Sequence, residues 1–169
     1  MKTIFTSQLV PCLLFAGGLL AGTNCAAAEN VVISFEKPET FRDMPFETYD
    51  KEQVLKTIAE HFVKLGTKIP QDQTLKIVVT DMDLAGRMEL GVRHGSPYIR
   101  VLRGGVDWPS MRLRYTLESK GVVLQSGEER LADMNYLYHY NRYSVNETLR
   151  YEKNMVETWF KQKFADVHQ

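Results

Sequence analysis

The chain has 169 residues, of which 44% are hydrophobic and 25% are charged. Its 21 Lys and Arg residues balance 21 Asp and Glu residues, so bulk charge gives it no attraction to nucleic acid or to an anionic membrane. The two cysteines, Cys12 and Cys25, lie near the N-terminus, which excludes disulfides, thiol catalysis and cysteine metal sites from the rest of the chain.

The first residues have the features of an export signal. Lys2 supplies a positive charge, residues 9–22 are almost all apolar or small, and Ala26–Ala28 offers the small residues that a signal peptidase requires. The apolar run of roughly 14 residues is too short to span a bilayer. We therefore expect cleavage between Ala28 and Glu29, which leaves residues 29–169 as one periplasmic domain without a transmembrane span.

A lipid anchor on Cys25 is the alternative to a cleaved signal. The residue before a lipidated cysteine is normally small, whereas Asn24 stands here. Residues 20–22 do resemble the start of a lipid-attachment box, but Thr23 occupies the place of the cysteine. The sequence therefore favours cleavage at Ala28 over a lipoprotein.

The first half of the expected domain contains two strands and a helix. Residues 31–35 are typical of a short strand. Asp50 and Gln53 resemble a capping box, and apolar residues then recur at helical spacing until Gly66, which predicts an amphipathic helix. Residues 74–80 carry apolar side chains on both faces and predict a central strand, and the about 17 residues from 81 to 97 predict a long loop.

The second half contains three strands and a helix. Residues 98–103 predict a strand, residues 111–117 alternate between apolar and polar side chains, and residues 122–125 complete a hairpin. Ser144 and Glu147 form a second capping box, followed by a helix that ends near Phe164. This order predicts an α+β domain: a mainly antiparallel sheet of about five strands with both amphipathic helices on one face.

Asp81 and Asp83 are the candidate metal ligands. If the strand continues through them, their i, i+2 spacing places both carboxylates on one face, where a divalent cation could bridge them. Glu89 and His94 follow in the expected loop and could complete the shell. The alternative, which we favour, is that Asp81 accepts backbone hydrogen bonds in the turn after the strand, with no cofactor present.

Four arginines are candidate ligand-binding residues. Arg112 and Arg114 project from one face of their strand, and Arg100 and Arg103 lie on an expected neighbour. Guanidinium groups on a solvent-exposed face can bind phosphate or carboxylate groups of an envelope component or of a periplasmic partner protein. The alternative, which the near-zero net charge favours, is pairing across strands with nearby carboxylates, namely those of Glu118, Glu128 and Glu129.

Tyrosines form a third candidate surface. Tyr136, Tyr138 and Tyr140 share one face if their segment is extended, and could stack on sugar rings or bind a partner. We favour the alternative that these rings close the core. Catalysis has weaker support, because Ser96 lacks the glycine that a nucleophile elbow requires and only His94 and His139 are plausible bases. We expect no catalytic residue.

Several segments carry a family pattern: residues 80–86, 107–109, 127–137 and 151–153, together with Trp159 and Phe160. In these segments the sequence resembles a bacterial family known as domain of unknown function 3016. The resemblance implies one compact, exported domain of gram-negative bacteria, and it names no catalytic residue. We therefore expect a non-catalytic binding or accessory domain for an envelope component or partner protein, with a divalent-metal-binding protein or hydrolase as the alternative.

Overall fold

A computed structural model describes residues 30–91 and 98–164. The expected signal, both cysteines, His94 and Ser96 lie outside these residues. The described chain contains six strands and two α-helices: β1 (Val31–Phe35), α1 (Thr48–Gly66), β2 (Gln73–Asp83), β3 (Arg87–Leu90), β4 (Tyr98–Val101), β5 (Ser110–Ser119), β6 (Val122–Ala132) and α2 (Arg150–Phe164). The α+β class is therefore confirmed.

The main sheet has four strands in the order β1-β2-β5-β6. β5 pairs antiparallel with β2 and with β6, whereas β1 runs parallel to β2, with Ile33 opposite Ile77. The prediction of one mainly antiparallel sheet of five strands is thus wrong in part, since the sheet is mixed. The parallel pair follows from the chain order, because a strand that returns through a helix lies parallel to the first strand.

Strands occupy part of the expected long loop, since β2 continues to Asp83 and a separate two-stranded ribbon begins at Arg87. β3 occupies part of residues 81–97 and pairs antiparallel with β4, so that Glu89 lies opposite Ile99. The strand predicted at residues 98–103 therefore leaves the main sheet and is not a neighbour of β5. The sequence did not reveal β3 because this strand has four residues, two of them exposed. Its side chains therefore show too little alternation between apolar and polar to predict a strand.

One face of the main sheet carries the core and both helices. Leu75, Ile77 and Leu113 project from the sheet and are buried with Ile58 and Phe62 of α1. The helices meet above the sheet through aromatic rings, whose centroids lie 6.3 Å apart for Phe62 and Trp159. Burial of each such side chain contributes about 1.5–3 kcal/mol, so this layer supplies most of the folding free energy.

Both helices begin elsewhere than their predicted caps. α1 begins at Thr48, so Asp50 lies in its first turn and not at its N-cap. α2 begins at Arg150, because Leu149 adopts a left-handed conformation (φ 55°) that a helix cannot contain. Ser144 and Glu147 form a separate turn, in which the Glu147 N–H donates to the Ser144 carbonyl over 3.0 Å. Neither described helix is long and apolar enough to cross a membrane.

Candidate functional site

A cleft of about 690 Å³ opens where α1, the β3–β4 ribbon and the start of α2 meet. Its volume lies in the range that small-molecule sites occupy. Most of its surface is apolar, and Glu152, Arg100 and Arg150 are among its polar residues. The apolar side chains in its walls are Pro45, Val54, Met88, Leu102, Val145 and Leu149.

A buried carboxylate forms part of the cleft floor. Glu152 in the first turn of α2 is 1% exposed, and its Oε1 accepts the Ala85 N–H over 2.8 Å. Arg100 Nη1 donates to the Ala85 carbonyl over 3.2 Å and lies 3.7 Å from Glu152 Oε1. We call this set of three residues the Ala85 clamp. It ties α2 and β4 to the end of β2, so the floor is held by contacts from three elements.

The charge of Glu152 is strongly affected by its surroundings. Burial raises the pKa of the Glu152 carboxyl, whereas the Ala85 hydrogen bond and the Arg100 charge act in the opposite direction. The net effect is upward, so removal of the carboxylate from water outweighs its two partners. This carboxyl is almost fully buried and its Oε1 already accepts the Ala85 N–H, so it is tied to the structure of the cleft floor.

A tight turn brings Ala85 to this position. Leu84 and Ala85 are buried, and Gly86 follows with a φ of 72°, a conformation that favours glycine. The Gly86 N–H donates to the Asp107 carbonyl over 2.9 Å, and a Cβ at Gly86 would overlap the Val101 carbonyl oxygen. The residues after Asp81 and Asp83, where the sequence suggested a metal-binding loop, therefore form the turn that leads from β2 into β3.

Arg150 is the cleft cation without a described carboxylate partner. Its guanidinium lies 5.1 Å from the centroid of the Tyr151 ring, and its Nε is buried with no hydrogen-bond partner in the described part of the chain. Of the other charges in the cleft, Arg100 pairs with Glu152 and Glu147 with Lys153, whereas Asp50 is exposed in the first turn of α1. Arg150 thus places an uncompensated positive charge in a largely apolar wall.

The proposed metal ligands Asp81 and Asp83 lie at the end of β2. Their carboxylates do share a side, as the i, i+2 spacing predicts, but Arg42 Nη2 lies 3.7 Å from Asp81 and 3.2 Å from Asp83. Glu89 contacts Arg103 instead, over 2.7 Å. Burial raises the pKa of Asp83 to about 6. Within residues 30–91 and 98–164, no three acidic, His or Cys side chains are grouped as metal ligands.

The four candidate arginines are not gathered on one surface. Arg112 and Arg114 lie exposed on β5, on the sheet face opposite the helices, whereas Arg100 and Arg103 belong to the ribbon and the residues after it. Arg114 pairs with Glu36 over 2.5 Å, and Arg112 has no ion pair among the described side chains. Pairing of arginines occurs as we favoured, but not with the carboxylates that we named: Glu118 pairs with Lys76, and Glu129 with Lys163.

The tyrosine segment is folded into turns and is not extended. Tyr136 is 2% exposed and donates its hydroxyl to the Arg103 carbonyl over 3.3 Å, so it closes the interior. Tyr138 and Tyr140 are 81% and 86% exposed. The shared tyrosine face therefore does not form, because the Tyr138 N–H turns back to the Asn135 carbonyl.

Histidines occupy two different environments. His139 Nδ1 lies 3.0 Å from Asp133 Oδ1 beside a second groove of about 360 Å³. The Thr158 hydroxyl also lines that groove and donates to the Asn154 carbonyl over 2.8 Å. His61 is buried, and its Nε2 donates to the Lys153 carbonyl over 3.1 Å. Burial lowers the pKa of His61 to about 4.

Sequence reasoning missed the cleft and its two key residues, Glu152 and Arg150. A signal for Glu152 was present, since it falls on the apolar face of the predicted second helix, where a carboxylate must find partners. Arg150 gave no signal, because its position depends on how the segment before α2 folds. Arg100 was named, but for a different surface.

Comparison with known proteins gives a family and no characterised relative. No curated protein and no solved structure matches the chain. A family model described as protein of unknown function (DUF3016) matches residues 29–162, which include every strand and nearly all of α2. The resemblance drawn from the sequence motifs is therefore confirmed, and the chain belongs to the DUF3016 family.

Proposed function

We propose that this protein is an exported, non-catalytic domain that binds a component of the cell envelope in the cleft between α1, the ribbon and α2. The observation that carries the proposal is the cleft itself, which combines apolar walls with a floor fixed by the Ala85 clamp. A preformed apolar pocket with a few polar groups is the usual geometry of a small-molecule site.

The chemistry of the floor favours binding over catalysis. Glu152 and Arg100 are the ionisable groups at its base, and each already holds the backbone of Ala85. A general base must come within hydrogen-bond reach of a substrate proton, and the Glu152 side chain is only 1% exposed. The same reasoning speaks against the metal-dependent alternative at Asp81 and Asp83, because a guanidinium lies between those carboxylates and would have to leave before a cation could enter.

Export rests on the sequence features of the first 28 residues. A charged start, a short apolar run and Ala26–Ala28 are typical of a cleaved signal, and the family match begins at residue 29. Mass spectrometry of the protein purified from its native cell should give a chain that begins at Glu29. A chain that retains Met1, or one that carries an acyl group on Cys25, would contradict periplasmic export by a cleaved signal.

Binding in the cleft can be tested by native mass spectrometry after incubation with an envelope extract. Leu102→Glu places a charge in the apolar wall, and Val123→Glu places the same charge on β6, where Val123 is 54% exposed and outside the cleft. We expect the wild-type protein and Val123→Glu to retain the same small molecule, and Leu102→Glu to lose it. Retention by all three folded proteins, or by none, would reject the proposed binding site.

A further inference from the structure

We propose that the ligand of this cleft is an amphipathic anion, with an apolar body that lies along the walls and one carboxylate or phosphate head that Arg150 binds. The inference rests on the proposed binding function and names the chemical class of its ligand. Three features of the cleft point to this class: its charges, its apolar walls and the unused donors of Arg150.

Among the charged side chains of the cleft that are at least partly buried, Arg150 is the cation without a partner in the described part of the chain. Arg100 is matched by Glu152, and Glu147 is matched by Lys153. Asp50 also lines the cleft, but it is exposed in the first turn of α1, where water and the helix N-terminus stabilise a carboxylate. Arg150 is only partly exposed and its Nε is out of contact with water, so an anionic head would stabilise it most.

The walls select the rest of the ligand. Val54, Met88, Leu102 and Leu149 present aliphatic side chains to the cleft. An ion without an apolar part would leave these side chains in contact with water, whereas an alkyl body would cover them. Each buried methylene increases affinity about fourfold, so a ligand that fills the cleft gains more from its chain than from its head.

The Arg150 guanidinium has donors that such a head could use. Its carbon lies over the face of the Tyr151 ring, 5.1 Å from the centroid, and the edge formed by its two terminal nitrogens has no acceptor among the described residues. That edge matches the two oxygens of a carboxylate or phosphate. No described hydrogen bond or ion pair uses the Arg150 side chain, and Lys at this position would offer one ammonium in place of the planar pair of donors.

Isothermal titration calorimetry of the purified protein with dodecanoate, dodecyl phosphate and uncharged dodecanol tests the inference. We expect both anions to bind at least about tenfold more tightly than dodecanol, since a charged hydrogen-bonded pair contributes that much or more. Arg150→Ala should remove this preference and leave dodecanol binding unchanged, and Arg150→Lys should restore part of it. Arg112→Ala, which removes an exposed arginine outside the cleft, should change nothing.

The outcomes separate this inference from the proposed function. Equal binding of dodecanol and the anions, or an unchanged preference in folded Arg150→Ala, overturns the role of Arg150. If no amphiphile binds but the wild-type protein still retains an envelope molecule that Leu102→Glu loses, the ligand class is wrong and the binding function stands. If neither experiment gives binding, both fail. Arg150→Lys serves as the folded reference if Arg150→Ala does not fold.

Discussion

The Glu152 carboxylate can stabilise the protein in two ways: it accepts the hydrogen bond of the Ala85 N–H, and it forms an ion pair with Arg100. Substitution of Glu152 distinguishes these two contributions. In Glu152→Ala, the buried Ala85 N–H loses its acceptor, which costs about 1–3 kcal/mol. Loss of the buried side-chain methylene adds about 1 kcal/mol. We expect the free energy of unfolding to fall by about 3 kcal/mol, which lowers the Tm of a domain of this size by roughly 10 °C.

Glu152→Gln should be far milder. Its amide oxygen can still accept the Ala85 N–H, and it removes a charge whose burial outweighs the attraction of Arg100. We expect a loss of about 1 kcal/mol or less at neutral pH. Because the pKa of Glu152 is raised in the folded state, the wild-type carboxyl contributes stability below its ordinary value of 4.5 that is lost as the pH rises through the folded pKa. The stability of wild type relative to Glu152→Gln should therefore decline with increasing pH.

Urea denaturation of the wild type, Glu152→Ala and Glu152→Gln, from below pH 4.5 to neutral pH, measures both the loss of the Ala85 hydrogen bond and the pH dependence of the carboxyl. Arg114→Ala is a suitable reference, since it breaks the exposed pair with Glu36 and should cost under about 1 kcal/mol. If Glu152→Gln is as unstable as Glu152→Ala at neutral pH, the ion pair with Arg100 is the main contribution and the hydrogen-bond reasoning is refuted. A loss below about 1 kcal/mol in Glu152→Ala would show that the Ala85 clamp adds little to stability.

Three further predictions follow from the described contacts. The pKa of His61 falls from 6.5 to about 4 on folding, so the free energy of unfolding of the wild type should drop by up to about 3 kcal/mol as the pH falls from 6.5 to 4. Urea denaturation of a folded His61→Gln variant should show a weaker dependence of stability on pH. Gly86→Ala should lower the Tm far more than Gly105→Ala, because both glycines have positive φ but only the Cβ at Gly86 meets other atoms; equal losses would contradict this. Millimolar Ca²⁺, Mg²⁺, Mn²⁺ or Zn²⁺ should leave the Tm unchanged, since a guanidinium already contacts Asp81 and Asp83, and a rise that Asp81→Asn with Asp83→Asn abolishes would restore the metal hypothesis.

The elements with strong periodicity could be predicted from the sequence. The spacing of Ile58, Phe62 and Leu65 indicates α1, and the alternation of Leu113 and Tyr115 with polar residues indicates β5. In both cases one face is buried against many neighbours, so burial and local pattern agree. The parallel pairing of β1 was also accessible, because strand, helix and strand in succession favour a parallel crossover.

The start of α2 shows where local signals fail. Ser144 and Glu147 satisfy the capping-box pattern, yet the helix begins six residues after Ser144. The side-chain oxygen of Ser144 lies 3.4 Å from the Asn146 nitrogen, an arrangement of a short polar turn. The left-handed Leu149 then separates this turn from α2. A capping pattern therefore marks a place where the backbone can turn, and tertiary contacts decide whether a helix follows.

The candidate site was inaccessible to sequence reasoning for a different reason. Ala85, Arg100 and Arg150 come from a turn, a ribbon and a helix start that are far apart in sequence, and no spacing rule relates them. Their proximity depends on the ribbon leaving the main sheet, which the sequence did not reveal. By contrast, Asp81 and Asp83 are related by spacing alone, and their expected common side was found.

The Ala85 clamp links the fold to the proposed site through the position of α2. Buried ion pairs contribute little net stability compared with apolar residues, because removal of two charges from water offsets their attraction. What Glu152 and Arg100 fix is geometry: they hold the first turn of α2 and strand β4 against the same backbone residue. Since Arg150 lies two residues before Glu152, this contact also sets where its guanidinium meets the cleft. If the polar groups of the floor act by positioning the wall, a stable variant such as Glu152→Gln should still bind ligand, whereas Glu152→Ala should lose affinity even where it remains folded.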